Sequence, residues 1–507
     1  MSASGGLAAG AAAVRLEPPL GLPMVGFVRR FEVARDSVGD LEATALVLEA
    51  DGERAVVAAV DTLAIQAPEI DVLRERIAEA VGACPDAVLV NFNHTHCAPP
   101  ACSGLMRMGG DMESEPAPAV RAYAVAVADG VVEACRRATA RLEEVRPTWG
   151  VGWCAEAVNR RERLDGGRVI LGWNPAGMVD WQVPVLQLQR RDGVSVATVV
   201  GYGCHTVAVG PDVLAYSADY AGPMRAAVRA WTEGECLFLQ GAAGNVLPRV
   251  AFADLAAADT MGRRLALAAL AAVADRPAWP RTYRRSDDGS VTPFHLYRPE
   301  LADGASGPAL AACQLDVDFP LLALPTHAEI AAEGAQAEER LRSAAARGAS
   351  EAELNTIRYD VVWARATEQA IASGTAPASV RAPVNALRVG DGAIVTGPGE
   401  IFSEIGMAVR ERSPAEVTLY AGYTNGLVSY FPAAWEYPHG GYEPGFGNRS
   451  FGLPAQVTPD CDRLLVRAGL DALARCFPDR PPVAADDALL ASGELPAPPA
   501  ALVPSRA

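Results

Sequence analysis

Asn93-His94-Thr95-His96 ends an apolar run, Ala87-Val88-Leu89-Val90-Asn91-Phe92, that reads as a buried β-strand. Two imidazoles at i and i+2 of an extended segment share a face about 6–7 Å apart, which suits a shared metal ion or substrate. The chain has six histidines in 507 residues, and a third, His205, ends another such run. Glu400 ends a glycine-rich turn, Gly397-Pro398-Gly399-Glu400, after yet another. A hydrolytic zinc takes three or four protein ligands, usually histidine and carboxylate, and leaves a position for water, whose pKa then falls to about 7. His94, His205 and Glu400 could supply such a set. Each also has a plainer reading, as a hydrogen-bonded structural histidine or as the last residue of a turn.

Other architectures that use paired histidines fit less well. A cupin needs a glutamate a few residues beyond the second histidine, where this chain has Cys97-Ala98-Pro99-Pro100-Ala101. A metallo-β-lactamase needs an aspartate where Ala98 stands. Amidohydrolase barrels often use a carboxylated lysine, and all 44 basic residues here are arginine. The missing lysine also excludes a Schiff base, a pyridoxal-phosphate anchor and a Walker-A phosphate loop.

Composition narrows the class further. A hydrophobic fraction of 50% is ample for a sizeable core in one large or two ordinary domains. A net charge of −17 without a basic stripe argues against nucleic acid as a partner. Ten scattered cysteines form no CxxC pair, so a zinc ribbon or thioredoxin motif is not expected. The first basic residue is Arg15, which makes the start a poor signal peptide, and the apolar face Leu265 to Ala274 is too short to cross a bilayer. These features predict a reduced, cytoplasmic protein without stable membrane insertion; they leave its oligomeric state open.

The elements that must position these side chains follow β-α-β grammar. Arg54–Thr62 reads as a strand, and Asp71–Val81 as a helix with Leu73, Ile77 and Val81 every fourth residue, stopped by Gly82. Further strands at Val196–Tyr202, Cys236–Leu239, Ala393–Thr396 and Val417–Ala421 each run into a polar or glycine-rich end, so five strand ends are expected on one shared face. Helices at Ala119–Leu142, Tyr220–Trp231 and Ala253–Ala274 are expected to cover the sheet. The predicted fold class is α/β, a mixed sheet core covered by helices with active residues at strand C-terminal ends. Residues 1–480 read as one catalytic domain with an excursion at about 279–385, in which Trp279 to Gly307 is a surface segment followed by a strand at Ala311–Phe319 and a helix at Ala328–Arg347. Residues 481–507 read as a Pro/Ala-rich mobile tail.

An ordered series of blocks carries a family resemblance. They are Pro18 to Gly26, Asn93-His94-Thr95-His96, Asn159-Arg160, Gly203-Cys204-His205, Tyr216 to Gly222, Gln240 to Pro248, Pro398-Gly399-Glu400 and Tyr430 to Glu443. In this order they resemble the neutral/alkaline, non-lysosomal ceramidases and their bacterial relatives. The resemblance implies a single Zn2+ held by His94, His205, Glu400 and Tyr430. Tyr430, Tyr437, Tyr442 and Glu443 keep the spacing of the family's late tyrosine cluster. It implies amide hydrolysis with a zinc-bound hydroxide as nucleophile, Arg160 and Tyr442 donating to the oxyanion, and His96 shuttling the proton. Asp219 and Asn245 fit loop-organising or supporting roles, with a hydrogen bond from one of them to His205 as an option.

The chain departs from the family at Leu247, which has no hydroxyl where ceramidases typically carry serine, and at Cys97-Ala98-Pro99, which replaces Ser-Gly-Pro. Cys97 reads as a small buried thiol. Neither a secretion signal nor the trailing β-sandwich domain of full-length ceramidases is expected. The expected substrate is therefore a small-molecule N-acyl amide or lipid-like compound, with short or medium acyl chains preferred over long-chain ceramide. A zinc-dependent esterase or lactonase, and a non-catalytic relative of the same fold, stand as alternatives.

Overall fold

The computed structural model describes residues 6–105, 117–276, 278–279, 281–291, 294–301 and 309–483. The chain folds as a mixed α/β structure. A five-stranded sheet has the order Val88–Phe92, Glu53–Val60, Leu41–Ala50, Ala8–Leu16 and Glu143–Glu144. A four-stranded sheet orders Glu235–Gln240, Ser195–Tyr202, Gln182–Gln189 and Arg146–Trp153, and a second orders Leu310–Pro320, Ser379–Val389, Gly392–Thr396 and Thr418–Ala421. Leucines and valines of all three, among them Leu46, Leu186, Val199, Leu387 and Leu419, meet in one apolar cluster between the sheets. The helices take the outer faces: Pro118–Thr139 lies on Ala8–Leu16 and Leu41–Ala50, Leu255–Val273 on Arg146–Trp153, and Cys461–Cys476 on Leu310–Pro320 and Ser379–Val389.

Local sequence accounts for these elements. Val88-Leu89-Val90 is a β-branched and leucine run buried at every position, as a strand covered on both faces requires. Helix Glu69–Val81 buries Leu73, Ile77 and Val81 on one stripe and stops where Gly82 turns left-handed at φ 70°. Asp254 caps helix Leu255–Val273 by accepting from the Ala257 amide at 2.9 Å.

Three parallel strand pairs position the site: Val88–Phe92 beside Glu53–Val60, Ser195–Tyr202 beside Glu235–Gln240, and Gly392–Thr396 beside Thr418–Ala421. One buried amide joins their C-terminal ends. Asn91 Nδ2 donates to Gly422 O at 2.7 Å and Gln240 O at 3.3 Å, and Asn91 Oδ1 accepts from the Gln240 amide at 2.8 Å. The shared face of strand ends expected from the sequence is thus present, held by a fully satisfied polar group.

Two expectations change. The segment 281–301, read only as part of a surface excursion, forms the paired strands Arg281–Val291 and Phe294–Leu301. The helix read at Ala328–Arg347 is His327–Ala346, and it pairs with a second, Glu351–Ala372, whose charged surface hid its periodicity. Of the segment 481–507, residues 484–507 lie outside the described residues.

Candidate metal centre

His94 follows strand Val88–Phe92, but the backbone there is not extended. It turns left-handed at His94, with φ 62°, and this turn rather than a flat strand face brings His94 and His96 together, ring centroids 5.1 Å apart. The turn is held by Asn93, whose side chain donates to Asp61 Oδ1 at 2.7 Å, and by Thr95, whose hydroxyl donates to Ser217 O at 2.7 Å. Asp61 is itself clamped by the two terminal nitrogens of buried Arg225 at 2.7 and 2.5 Å.

His205 follows strand Ser195–Tyr202, with its ring centroid 5.1 Å from that of His94 and 6.1 Å from that of His96. One nitrogen from each of His94, His96 and His205 lies within 4.8 Å of the others. Glu400 begins the two-residue strand Glu400–Ile401, which pairs in parallel with Tyr430–Phe431 so that Glu400 and Tyr430 are direct cross-strand neighbours. The Glu400 carboxylate reaches His205 Nε2 at 3.0 Å and His94 Nε2 at 3.6 Å.

The protonation of this group follows from its backbone partners. His94 Nδ1 is 2.9 Å from Leu63 O and His205 Nδ1 is 2.7 Å from Ala243 O. A carbonyl only accepts, so each Nδ1 carries the proton and each Nε2 presents a lone pair. Burial holds both imidazoles neutral, pushing His94 down to about 4 and His205 well below its ordinary value. Two lone pairs therefore face a carboxylate with no proton between them. Such a donor set is compatible with a metal ion, and its chemistry fits Zn2+.

Arg160, on strand Ala157–Arg163, donates from Nε to Glu443 Oε1 at 2.8 Å and places Nη1 3.2 Å from His205 Nε2. Its remaining nitrogen, Nη2, is buried and has no hydrogen-bond partner among the described residues. Burial opposes its charge, but Tyr430, Glu443 and Glu400 more than offset this and hold the guanidinium firmly protonated. Tyr442 stands edge-on to Tyr430 with centroids 5.3 Å apart, its hydroxyl 2.8 Å from Ser450 Oγ. Burial raises the pKa of both phenols. Arg161 fastens this segment from below, donating to Glu443 at 2.6 Å and Glu436 at 2.9 Å.

His96 differs from the other two histidines, because both of its ring nitrogens are buried and have no hydrogen-bond partner among the described residues. Packing places it: a Cβ on Gly26 would come within 2.4 Å of its ring, and the Phe27 ring stands edge-on at 4.7 Å. Arg30 donates to the carbonyls of Val25 and His96.

All seven residues singled out from the sequence therefore converge. Asp219 organises a loop, accepting from the amides of Ala208, Val209 and Tyr220. Asn245 bonds Glu404 and Ser403, and His205 Nδ1 donates to the Ala243 carbonyl instead. Cys97 is a buried thiol, raised to about 12 chiefly by desolvation. Sequence reasoning missed Tyr423, whose hydroxyl donates to Glu400 Oε2 at 3.3 Å and whose ring lies 4.5 Å from that of His94. Its signal was the polar strand end Gly422-Tyr423-Thr424-Asn425-Gly426. Phe27 and Arg30, and the contact of Gly26 with His96, were missed because these contacts are long-range.

Among solved structures, the chain is similar to the neutral ceramidase from Pseudomonas aeruginosa, with a TM-score of 0.63 and 17% identity over 94% of this chain and 75% of that one. It is similar also to a ceramidase complexed with C2, with a TM-score of 0.61 and 16% identity over 95% of this chain and 77% of that one. No protein-family model and no curated protein matches the sequence.

Proposed function

We propose that this chain, which shares the fold of the two ceramidase structures, is a zinc-dependent hydrolase of N-acyl amides, with His94, His205, Glu400 and Tyr430 holding the metal. The observation that carries this reading is the pair of imidazole lone pairs turned on the Glu400 carboxylate, which suits a bound metal ion. When bound, zinc supplies Lewis acidity and brings the pKa of a water down to about 7.

The chain's own residues do the rest. Arg160 offers the unpartnered Nη2, and Tyr442 its hydroxyl, to the carbonyl oxygen as it gains charge, while the site's burial strengthens both hydrogen bonds. His96, with neither nitrogen committed, accepts the proton of the attacking water on one and delivers a proton to the departing amine nitrogen. Because burial keeps His96 neutral, it is poised as a base at neutral pH. Glu443 orients Arg160, and Tyr423 orients Glu400.

Two measurements test this together: elemental analysis of the purified protein, and hydrolysis of paired N-acyl amides and esters of graded acyl length. About one zinc per chain with chelator-sensitive amide cleavage is expected. Ester cleavage without amide cleavage would move the reading to an esterase, and a metal-free, fully active protein would end it.

A further inference from the structure

Residues 245–252 run from the metal centre to the surface. At the inner end, Asn245 O accepts from the Arg160 amide at 2.9 Å and Val246 O from the His205 amide at 3.3 Å. At the outer end the backbone turns left-handed at Phe252, with φ 56°. A bulky side chain disfavours this conformation, which glycine or asparagine adopts more readily. The turn is nonetheless fixed. Phe252 donates from its amide to Val207 O at 2.8 Å, Ala253 donates to Ala208 O at 2.8 Å, and a Cβ on Gly210 would come within 2.5 Å of the Phe252 carbonyl oxygen.

What the turn delivers is a ring. Phe252 is 53% exposed, so it adds little to the core, and its ring stands edge-on to that of Phe27 with centroids 5.9 Å apart. Phe27 in turn stands edge-on to His96 at 4.7 Å and is held by the Arg30 guanidinium, 5.1 Å over its ring. Three rings therefore lead from His96 out to solvent. A separate series runs through the oxyanion donor Tyr442, from Tyr430 to exposed Phe446, with successive centroids 5.3 Å apart. A strained backbone that holds an exposed apolar ring beside the reacting groups serves a ligand better than it serves folding.

We propose that Phe252 and Phe27 form the subsite for the departing amine, and that Phe252 selects N-acyl amides whose nitrogen carries an aromatic or alkyl group over those with a hydroxylated amine. This rests on the amide-hydrolase reading above and adds the amine's chemical class to it. A trans amide sends its acyl chain and its nitrogen substituent in opposite directions. His96 must come within hydrogen-bond reach of the departing nitrogen, so the group on that nitrogen is the one that meets Phe27 and then Phe252. Two phenyl rings offer apolar edges and faces but no hydrogen-bonding atom. An aromatic or alkyl substituent gains contact area there, whereas a hydroxylated one gives up water without a partner in return.

The test is the amine specificity of the full, metal-loaded chain on amides that share a hexanoyl group: the phenethylamide, the serinol amide and unsubstituted hexanamide, each followed by release of its amine or of ammonia. Wild type should favour the phenethylamide over the serinol amide by at least about tenfold in kcat/KM, the size of effect that an apolar pocket contact supplies. Phe252→Ser should cut the ratio of phenethylamide to hexanamide about tenfold, through KM rather than kcat, with zinc content and circular dichroism unchanged. Phe252→Gly suits the left-handed turn and should cut the ratio as much, which covers the case in which the serine variant misfolds. Phe252→Leu should restore most of it, and Phe446→Ser, in the other ring series, should leave it within about twofold. A wild type that prefers the serinol amide, or Phe252 variants that slow all of these amides equally or not at all, would overturn the inference and leave amide hydrolysis standing. A wild type that cleaves none of these amides would end the hydrolase reading, and this inference with it.

Discussion

The three site histidines illustrate how identical side chains take different roles from different partners. His94 and His205 each spend Nδ1 on a backbone carbonyl and are fixed in tautomer and direction, whereas His96 has no such tie and can carry its proton on either nitrogen. Replacing His94 by Ala should therefore empty the metal site; a folded His94→Ala protein with full zinc by elemental analysis would show the ligand assignment to be wrong. His96→Ala should keep the zinc but lose about 10²–10⁴ in kcat, the usual range for a general acid–base group. Zinc loss in that variant would place His96 among the ligands, a role its distance from His94 and His205 permits. Cys97 lies beside this cluster as a protonated thiol under Arg30, and Leu247 offers no hydroxyl. Cys97→Ser should accordingly retain most activity, and an acyl adduct on Cys97 trapped by mass spectrometry would instead make it the nucleophile.

At the scale of elements, the parallel strands were legible because their buried runs and polar ends are local patterns, and the ends do converge, through Asn91. The family blocks made Arg160, Glu400, Tyr430 and Tyr442 legible as a set, and all are brought to the two core histidines. What the pattern could not carry was backbone geometry and distant packing. The histidine pair was read as extended, yet His94 has a positive φ; Tyr423, with φ 51°, also adopts a conformation that no periodicity announces. Likewise the segment Gly26-Phe27-Val28-Arg29-Arg30 shapes His96 from about seventy residues away in sequence, by close approach rather than by motif. This last contact gives a prediction. Gly26 has φ 105° and no room for a methyl group, so Gly26→Ala must displace the His96 ring and strain the turn by about 1–3 kcal/mol. Zinc content should be unchanged while kcat falls at least about tenfold, as it does when a general acid–base group is misplaced. Gly39→Ala, equally left-handed at φ 73° but with nothing within 4 Å, should show the strain in its melting temperature and leave kcat alone. Equal kcat losses in the two variants would mean that Gly26 matters only for stability.

The whole molecule joins at the site, since His94 and His205 come from the first half of the chain and Glu400 and Tyr430 from the second. One seam between the halves runs from the loop after Gln240 to the start of helix Ser403–Arg412. Gly244 donates from its amide to Ile401 O at 2.8 Å, Asn245 Oδ1 accepts from the Ser403 amide at 3.0 Å, and Asn245 Nδ2 donates to Glu404 at 2.8 Å. Glu404 is fully enclosed there, and desolvation raises it from 4.5 to about 7, with the Asn245 hydrogen bond only partly opposing the shift. Between pH 4.5 and 7 the folded protein thus keeps a proton that the unfolded chain has released. The stabilisation from this group is fully present below 4.5 and is lost as pH rises to 7, by about 3 kcal/mol in all. Carboxylates such as Glu42, lowered by Arg229 and Arg225 against the cost of burial, act in the opposite sense, so the raw pH profile of stability mixes both. The difference between wild type and Glu404→Gln isolates the seam, because glutamine keeps the shape and the acceptor for Asn245 but cannot ionise. Denaturant unfolding at pH 5 and pH 8 should show the variant gaining on wild type as pH rises, by up to about 3 kcal/mol. If the two proteins keep a constant difference across that range, Glu404 is not held neutral and the seam does not feel pH through it.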